Sequence, residues 1–330
     1  MTTLWSTTGS EVVRALIAER RIAGAVASGV VLTLVVIADE SAVEAAEQAA
    51  TVAASQHPCR LVLVVRRNVL DPQSRLDAEV LIGGRLGPGE AVVLRMNGRL
   101  GLHAESVVLP LLAPDAPVVT WWYGDPPDLI AHDPLGVLAD RRVTDVHNTA
   151  DPITALRARA QDYAPGDTDL AWARTTSWRS TLAAAFDTVQ GQATAIEVEG
   201  GGSSASTALL AAWLGCRLGV EVAVRSRDEP GIAEVRLQID GGQRAGGIDI
   251  RLGRDGDRAG LLTRTGQADR RMPLPRAERG ELMAEELRRL DHDPIYAAAL
   301  ARIGGLADLS ERSPYRTHVW RDPDERAAAQ

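Results

Sequence analysis

Apolar positions along the chain follow two rhythms. Residues 29–37 (Gly-Val-Val-Leu-Thr-Leu-Val-Val-Ile) and 60–65 (Arg-Leu-Val-Leu-Val-Val) are short, β-branched and nearly uninterrupted. Strands covered on both faces of a parallel sheet read this way. Before the first run, Val12, Val13, Leu16 and Ile17 form a helical stripe, capped by Ser10 and stopped by Gly24, with Arg20 and Arg21 near the negative end of its dipole. Between the two runs an Ala- and Glu-rich helix begins at Asp39 or Ser41. Strand, helix, strand predicts a right-handed βαβ crossover. Residues 78–97 change texture, and two runs joined by the glycine-rich segment 83–89 predict a β-pair.

The densest apolar stretch is residues 106–127. Residues 107–112 run apolar as a helix or strand, Pro114 and Asp115 signal a turn, and residues 117–122 (Pro-Val-Val-Thr-Trp-Trp) predict a short strand closed by Pro126 and Pro127. Successive strand residues point to opposite faces, so Trp121 and Trp122 need different environments: one a core, the other the opposite layer or a crevice. Two readings stand: buried aromatics between layers, or an anchor at a recognition surface, where Trp and Tyr are enriched. Ligand crevices of open α/β sheets lie beyond the carboxyl ends of strands. That makes Tyr123, Gly124, Asp125 and the charged group 140–145, with Arg141 and Arg142, candidate partner contacts around such a crevice.

A helix over 153–163 leads to Ala-Pro-Gly-Asp at 164–167, the best boundary. The expected fold is α/β in two domains. Residues 1–165 build a largely parallel central sheet flanked by helices, and residues 166–309 a smaller mixed α/β domain. In the second, helix 180–187, strand 193–199, helix 204–218 and strand 220–225 precede three short alternating strands at 232–239, 247–252 and 259–263, then helices over 279–290 and 294–303. Residues 310–330 are polar and charged, which predicts a loosely ordered tail.

Composition narrows the chemistry. At 330 residues the chain can bury proper cores without disulfide or metal staples. Cys59 and Cys216 lie far apart in apolar surroundings, which predicts reduced thiols, and no Cys/His cluster has metal spacing. The apolar run 25–38 is too short to span a bilayer and the N-terminus lacks signal-peptide features, so a soluble cytoplasmic protein is expected. There is no lysine, which removes a Walker A loop, a kinase ATP lysine and any Schiff-base or pyridoxal site. A mixed net charge of −8 argues against a nucleic-acid surface.

Gly200, Gly202, Ser203, Ser204 and Ala205 fit G-x-G-x-x-A between a strand and a helix, a context in which backbone amides can hold phosphate. The following strand ends in Arg225-Ser226-Arg227 where a ribose-binding carboxylate would sit, so the match suits at most a phosphorylated ribose. An NADP- or ATP-binding enzyme or sensor is therefore the alternative function. A nucleophile elbow at Ser204 fails because Ser206 replaces its second glycine. His103-Ala104-Glu105 resembles half of a zinc-deaminase signature, but no P-C-x-x-C follows. His57 beside Cys59, His132-Asp133, Asp145-Val146-His147 and Asp291-His292-Asp293 are isolated pairs that leave a catalytic dyad open, with exposed loop histidines the commoner case; Asp167 and Asp169 read as helix caps, and Trp178-Arg179 either as a stacking or carboxylate-pairing site or as a structural anchor. No catalytic constellation emerges.

Residues 106–112 (Ser-Val-Val-Leu-Pro-Leu-Leu), 114–119 (Pro-Asp-Ala-Pro-Val-Val) and Trp121-Trp122 closely resemble the signature of the OpcA family, glucose-6-phosphate dehydrogenase assembly proteins, in its actinobacterial form. Residues 31–36, 74–80, 133–136, 141–145, 165–170, 178–180 and 284–291 are similar to the family in the same order. The resemblance implies a non-catalytic factor without cofactor that associates with glucose-6-phosphate dehydrogenase, promotes its active oligomer and raises flux into the oxidative pentose phosphate pathway, with a homo-oligomer also open. Two departures stand out: the triple glycine at 200–202 is unusual for the family, and Cys59 and Cys216 do not map onto the cysteines of its redox-controlled photosynthetic members.

Overall fold

The computed structural model describes residues 1–23, 30–84, 86, 89–241 and 247–322. The expected stop at Gly24 and part of the glycine-rich 83–89 segment lie outside them. An edge strand β1 (Thr2–Leu4) precedes helix α1 (Gly9–Ala23). Its cap is Thr8, two residues before the expected Ser10. The Glu11 amide donates to Thr8 Oγ1 at 3.4 Å and the Thr8 amide to Glu11 at 3.1 Å, a reciprocal capping box. Strand β2 (Leu32–Asp39), helix α2 (Val43–Gln56) and strand β3 (Cys59–Arg66) follow, with β2 and β3 parallel. Strands β4 (Arg75–Ile82) and β5 (Glu90–Asn97) form the antiparallel pair. Residues 98–111 are helical, with α3 (Glu105–Val108) at their centre, before β6 (Val118–Trp122), α4 (Pro134–Val137), β7 (Arg141–Thr144) and α5 (Pro152–Asp162).

The expected boundary at 165/166 falls just before the last strand of the first sheet. Strand β8 (Asp167–Asp169) completes the first sheet, in the order β1-β4-β5-β3-β2-β6-β7-β8, parallel from β5 to β8. After it come α6 (Leu170–Ala173), α7 (Thr176–Asp187), β9 (Gln192–Gly201), α8 (Ala205–Leu218), β10 (Val222–Arg227), β11 (Ile232–Asp240), β12 (Gly247–Asp255), β13 (Ala259–Arg264) and β14 (Arg270–Pro273). These strands form a second, mixed sheet, β10-β9-β11-β12-β13-β14, in which only β9 and β10 run parallel. Helices α9 (Arg279–Glu286) and α10 (Pro294–Gly304) close the fold.

Period-two alternation assigns the first sheet's side chains to two cores. Leu34, Val36, Leu61, Leu63 and Trp121 share one with Ala46, Ala50 and Ala53 of α2 and Leu282 and Met283 of α9. Val35, Ile37, Val62, Val64 and Trp122 share the other with Val12 and Leu16 of α1 and Val107, Val108 and Leu111. Helix α9 lies close on α2 because residue 280 is glycine: a Cβ there would meet the Ala49 carbonyl at 2.6 Å and Val52 Cβ at 2.7 Å. A third core joins the halves, with Leu156 of α5, Trp172 of α6, Leu209 of α8 and Leu300 of α10. The second sheet packs one face on α7 and α8 through Trp178, Leu182, Leu210 and Leu214. Arg236 is exposed and pairs with Glu197, Glu199 and Glu234.

Both tryptophans are buried, at 0% and 2% exposure, on opposite faces. Their indole N–H groups differ. Trp122 Nε1 donates to Asp133 at 3.1 Å, whereas Trp121 Nε1 is buried without a partner. Losing a buried hydrogen-bond partner costs about 1–3 kcal/mol beyond lost packing. Trp122→Phe should therefore lower urea-denaturation stability more than Trp121→Phe; the reverse order would contradict this assignment.

Candidate functional site at the strand ends

Strands β3 and β5 lie on one side of β2, and β6, β7 and β8 on the other. At such a switch point the loops leaving adjacent strands part and open a crevice. Here it holds about 280 Å³ and is lined by Ile37, Asp39, Arg66, Trp122, Asp133 and Trp320, among others. Its floor is an ion pair. Arg66 places both Nη atoms on Asp133 at 2.8 and 2.9 Å, and Asp133 also accepts from Trp122 and caps α4 through the Leu135 amide at 3.0 Å. Burial alone would raise the Asp133 carboxyl; Arg66 and these donors bring it below its ordinary value.

The turn after β2 would supply pyrophosphate-binding amides in a dinucleotide-binding sheet. Here it reads Asp39-Glu40-Ser41-Ala42, without glycine, and Glu40 is held by the Arg67 fork at 2.8 and 3.0 Å. The C-terminal segment also enters the crevice through Trp320, Arg321 and Asp322. Trp320 stacks flat on His103, with ring centroids 5.2 Å apart and planes 2° apart.

That segment corrects the expectation of a loose tail, as far as residue 322. Arg312 donates to the carbonyls of Ala160, Gln161 and Tyr163 at 3.1, 2.8 and 3.1 Å, where the end of α5 leaves acceptors free and favours a cation. Arg316 pairs with Asp162 at 2.8 Å and with Asp167, the Val319 amide donates to Ala131 at 2.8 Å, and Arg321 reaches Asp128 at 3.1 Å. Polar composition concealed these contacts because each acceptor lies over 140 residues upstream.

Next to the crevice, Asp145 after β7 accepts the Arg174 fork at 2.7 and 3.0 Å and forms an ion pair with Arg279 at 3.3 Å. Arg279 also lies over the Tyr123 ring, 4.5 Å from its centroid, and Tyr123 stands edge-on to Trp121 at 5.3 Å. Asp169 is fully buried and accepts from Thr144 at 2.6 Å and from the Val146 and Ala171 amides at 3.1 and 2.8 Å. Burial, then the neighbouring Asp145, push its carboxyl up to about 6.

The candidate contact residues divide by burial. Trp121, Trp122, Arg141 and Arg142 are all under 5% exposed, so they are unavailable to a partner on this surface. The reason is topological: β6 and β7 are interior strands of the sheet. Arg141 pairs with Glu286 of α9 and donates to the Asp291 carbonyl at 3.0 Å, while Arg142 holds Asp167 and the carbonyls of Ala139 and Pro165. Tyr123 is half-buried and Asp125 exposed.

The Gly200 loop lies apart, on the second sheet. A Cβ at Gly200 would stand 2.4 Å from the Gly231 carbonyl, and one at Gly202 2.5 Å from Ser226 Oγ, so close chain packing accounts for these glycines. Gly202 and Ser203 are exposed, and the Ser204 hydroxyl caps α8 through the Thr207 amide at 3.2 Å. Sequence reasoning missed Arg66 and Trp320, and met Asp133 only beside His132 and in the 133–136 motif, without its role under the crevice. Asp133-Pro134 is a cap followed by an N1 proline, a signal that could have placed Asp133 at a helix start.

The N-terminal domain of the glucose-6-phosphate dehydrogenase subunit matches residues 50–161, and its C-terminal domain matches residues 165–300. The chain belongs to the OpcA family of glucose-6-phosphate dehydrogenase assembly proteins. No curated protein matches the sequence. Solved structures similar to this OpcA-family chain include an NAD binding oxidoreductase from Klebsiella pneumoniae, 9% identical with a TM-score of 0.42, covering 83% of this chain and 95% of that one. A 3-ketoreductase from Actinomadura kijaniata is 10% identical with a TM-score of 0.38, covering 82% and 94%. Likeness at this level carries no functional weight. Among the described residues no helix is long and apolar enough to cross a membrane, and no group of three His, Cys, Asp or Glu is placed to hold a metal.

The raised Asp169 has a signed consequence. A carboxyl whose folded pKa exceeds its unfolded value binds its proton more tightly in the fold, so stability falls as pH rises from about 4 toward 6 and then levels. Asp169→Asn should flatten that window in urea denaturation followed from pH 4 to 7; an unchanged slope would assign it to other groups.

Proposed function

We propose that this OpcA-family chain is a non-catalytic, cytoplasmic subunit that binds glucose-6-phosphate dehydrogenase and promotes its active oligomer, and so serves the oxidative pentose phosphate pathway. The observation that carries the non-catalytic part is the state of the switch-point crevice. Asp39 and Glu40 stand where a cofactor's pyrophosphate would need amides and positive charge, and Trp320 to Asp322 of the chain's own C-terminal segment enter the space. The family supplies the partner.

On this reading the accessible end of the signature, Tyr123 and Asp125, meets the dehydrogenase, while Trp121, Trp122, Arg141 and Arg142 hold that end in place from beneath. Asp125 is exposed and ends no core contact, so it reports docking without disturbing the fold.

Mixing the purified chain with the dehydrogenase of the same organism should shift the dehydrogenase to larger size in gel filtration and raise its activity. Asp125→Arg should weaken that association about tenfold or more, by placing a wrong charge in the contact, with the thermal midpoint of the isolated chain unchanged. No shift and no activation at saturating ratios would overturn the assembly role. A saturable rise in the chain's own thermal midpoint with NADP or ATP would favour the nucleotide reading instead.

A further inference from the structure

A second cavity, of about 360 Å³, opens where the two sheets meet. That is the size of a small-metabolite site. One wall comes from the first sheet's side, with Arg174 after α6 and Arg279 at the start of α9. The other comes from the second sheet, with Arg254 on β12 and the turn at Pro230 and Gly231. Ser206, in the first turn of α8, lines the space between them.

The four arginines that line the cleft are not equally paired. Arg174 and Arg279 share Asp145, and Arg276 at the rim faces Asp257 at 3.5 Å. The Glu278 carboxylate, also on the lining, is engaged in the capping box of α9. Arg254 has no carboxylate within ion-pair distance among the described residues. Two carbonyls orient it, Leu274 at 2.8 Å through Nη1 and Ile232 at 3.4 Å through Nε, and its guanidinium stands 5.4 Å from the centre of the Trp178 ring. Neither bond uses its Nη2, and Arg254 lines the cavity. Burial, then the neighbouring Arg276, pull its pKa down against the opposing pull of Asp257 and Glu229.

An independent feature points to the same ligand. Ser206 is 4% exposed and its Oγ is buried without a hydrogen-bond partner. Buried hydroxyls are normally satisfied, and one left open at the edge of a cavity calls for an acceptor. A planar guanidinium and a hydroxyl donor together suit phosphate oxygens. The volume leaves room beyond the phosphate for a small polar body, which Asn148, Ser177 and His147 would face.

We propose that this cleft binds a small phosphorylated metabolite, its phosphate held by Arg254 and Ser206. Because the lining comes from both sheets, the ligand ties them together. The site is separate from the strand-end crevice and requires no dehydrogenase, so it stands or falls independently of the assembly role.

The test uses the isolated full chain and inorganic phosphate, titrated against chloride at constant ionic strength. Phosphate should raise the thermal midpoint saturably and broaden the ³¹P resonance. Arg254→Gln and Ser206→Ala should each weaken the apparent affinity about tenfold or more, the worth of a hydrogen bond to a charged group. Ser206→Ala removes a hydroxyl with no protein partner, so it should fold with an unchanged midpoint in chloride and keeps the test decisive if Arg254→Gln does not fold. No saturable response in the wild type, or an affinity unmoved by Ser206→Ala, would overturn the proposal.

Discussion

A parallel sheet whose strands are apolar on both faces has to be covered twice, and this requirement organises the molecule. The N-terminal half supplies α1 and the helical segment 98–111 for one face, but for the other only the alanine-rich α2. Small side chains leave that layer thin. The chain returns more than 220 residues later to finish it with Leu282 and Met283 of α9, which Gly280 lets approach α2 closely. The two halves are thus one packed body in which the second repairs a shortfall in the first.

Arginine makes these returns specific. Arg141 on β7 reaches Glu286 on α9, burial pushes the Glu286 carboxyl up against the pull of Arg141, and the pair fixes how α9 sits. Removing one member of such a pair leaves an unpaired buried charge, at a cost of about 3–5 kcal/mol. Arg142, Arg312 and Arg316 join the 160–167 segment to β7 and to the C-terminal residues in the same way. A chain without lysine has only guanidinium for these tasks, and its fork engages carboxylates and carbonyl groups from several directions.

The same architecture separates two cavities. At the strand ends, acidic side chains and the chain's own C-terminal segment crowd a crevice that many α/β sheets give to a cofactor. Between the sheets, arginines and an unpartnered hydroxyl line a cleft that both halves build. Binding there would act on the relation between the halves, while the Tyr123 and Asp125 end of the signature is carried by the first sheet alone.

Local pattern was enough to determine the long elements, the parallel β2–β3 unit and the opposed faces of Trp121 and Trp122, though not the short strands β1, β8 and β14, because burial on both faces and period-two alternation are written residue by residue only where a run is long enough to show them. The motifs at 106–122 likewise sufficed to suggest the family. What only the tertiary structure decided were the long-range partners: that both tryptophans are interior, that Arg141 and Arg142 fasten layers together, that residues 312–321 are tied down, and that Arg254 and Ser206 face one cavity. Those outcomes depend on which distant carboxylate, carbonyl or ring each side chain meets. An arginine in a sequence reads the same whether it ends in water, in an ion pair or beside a space shaped for an anion.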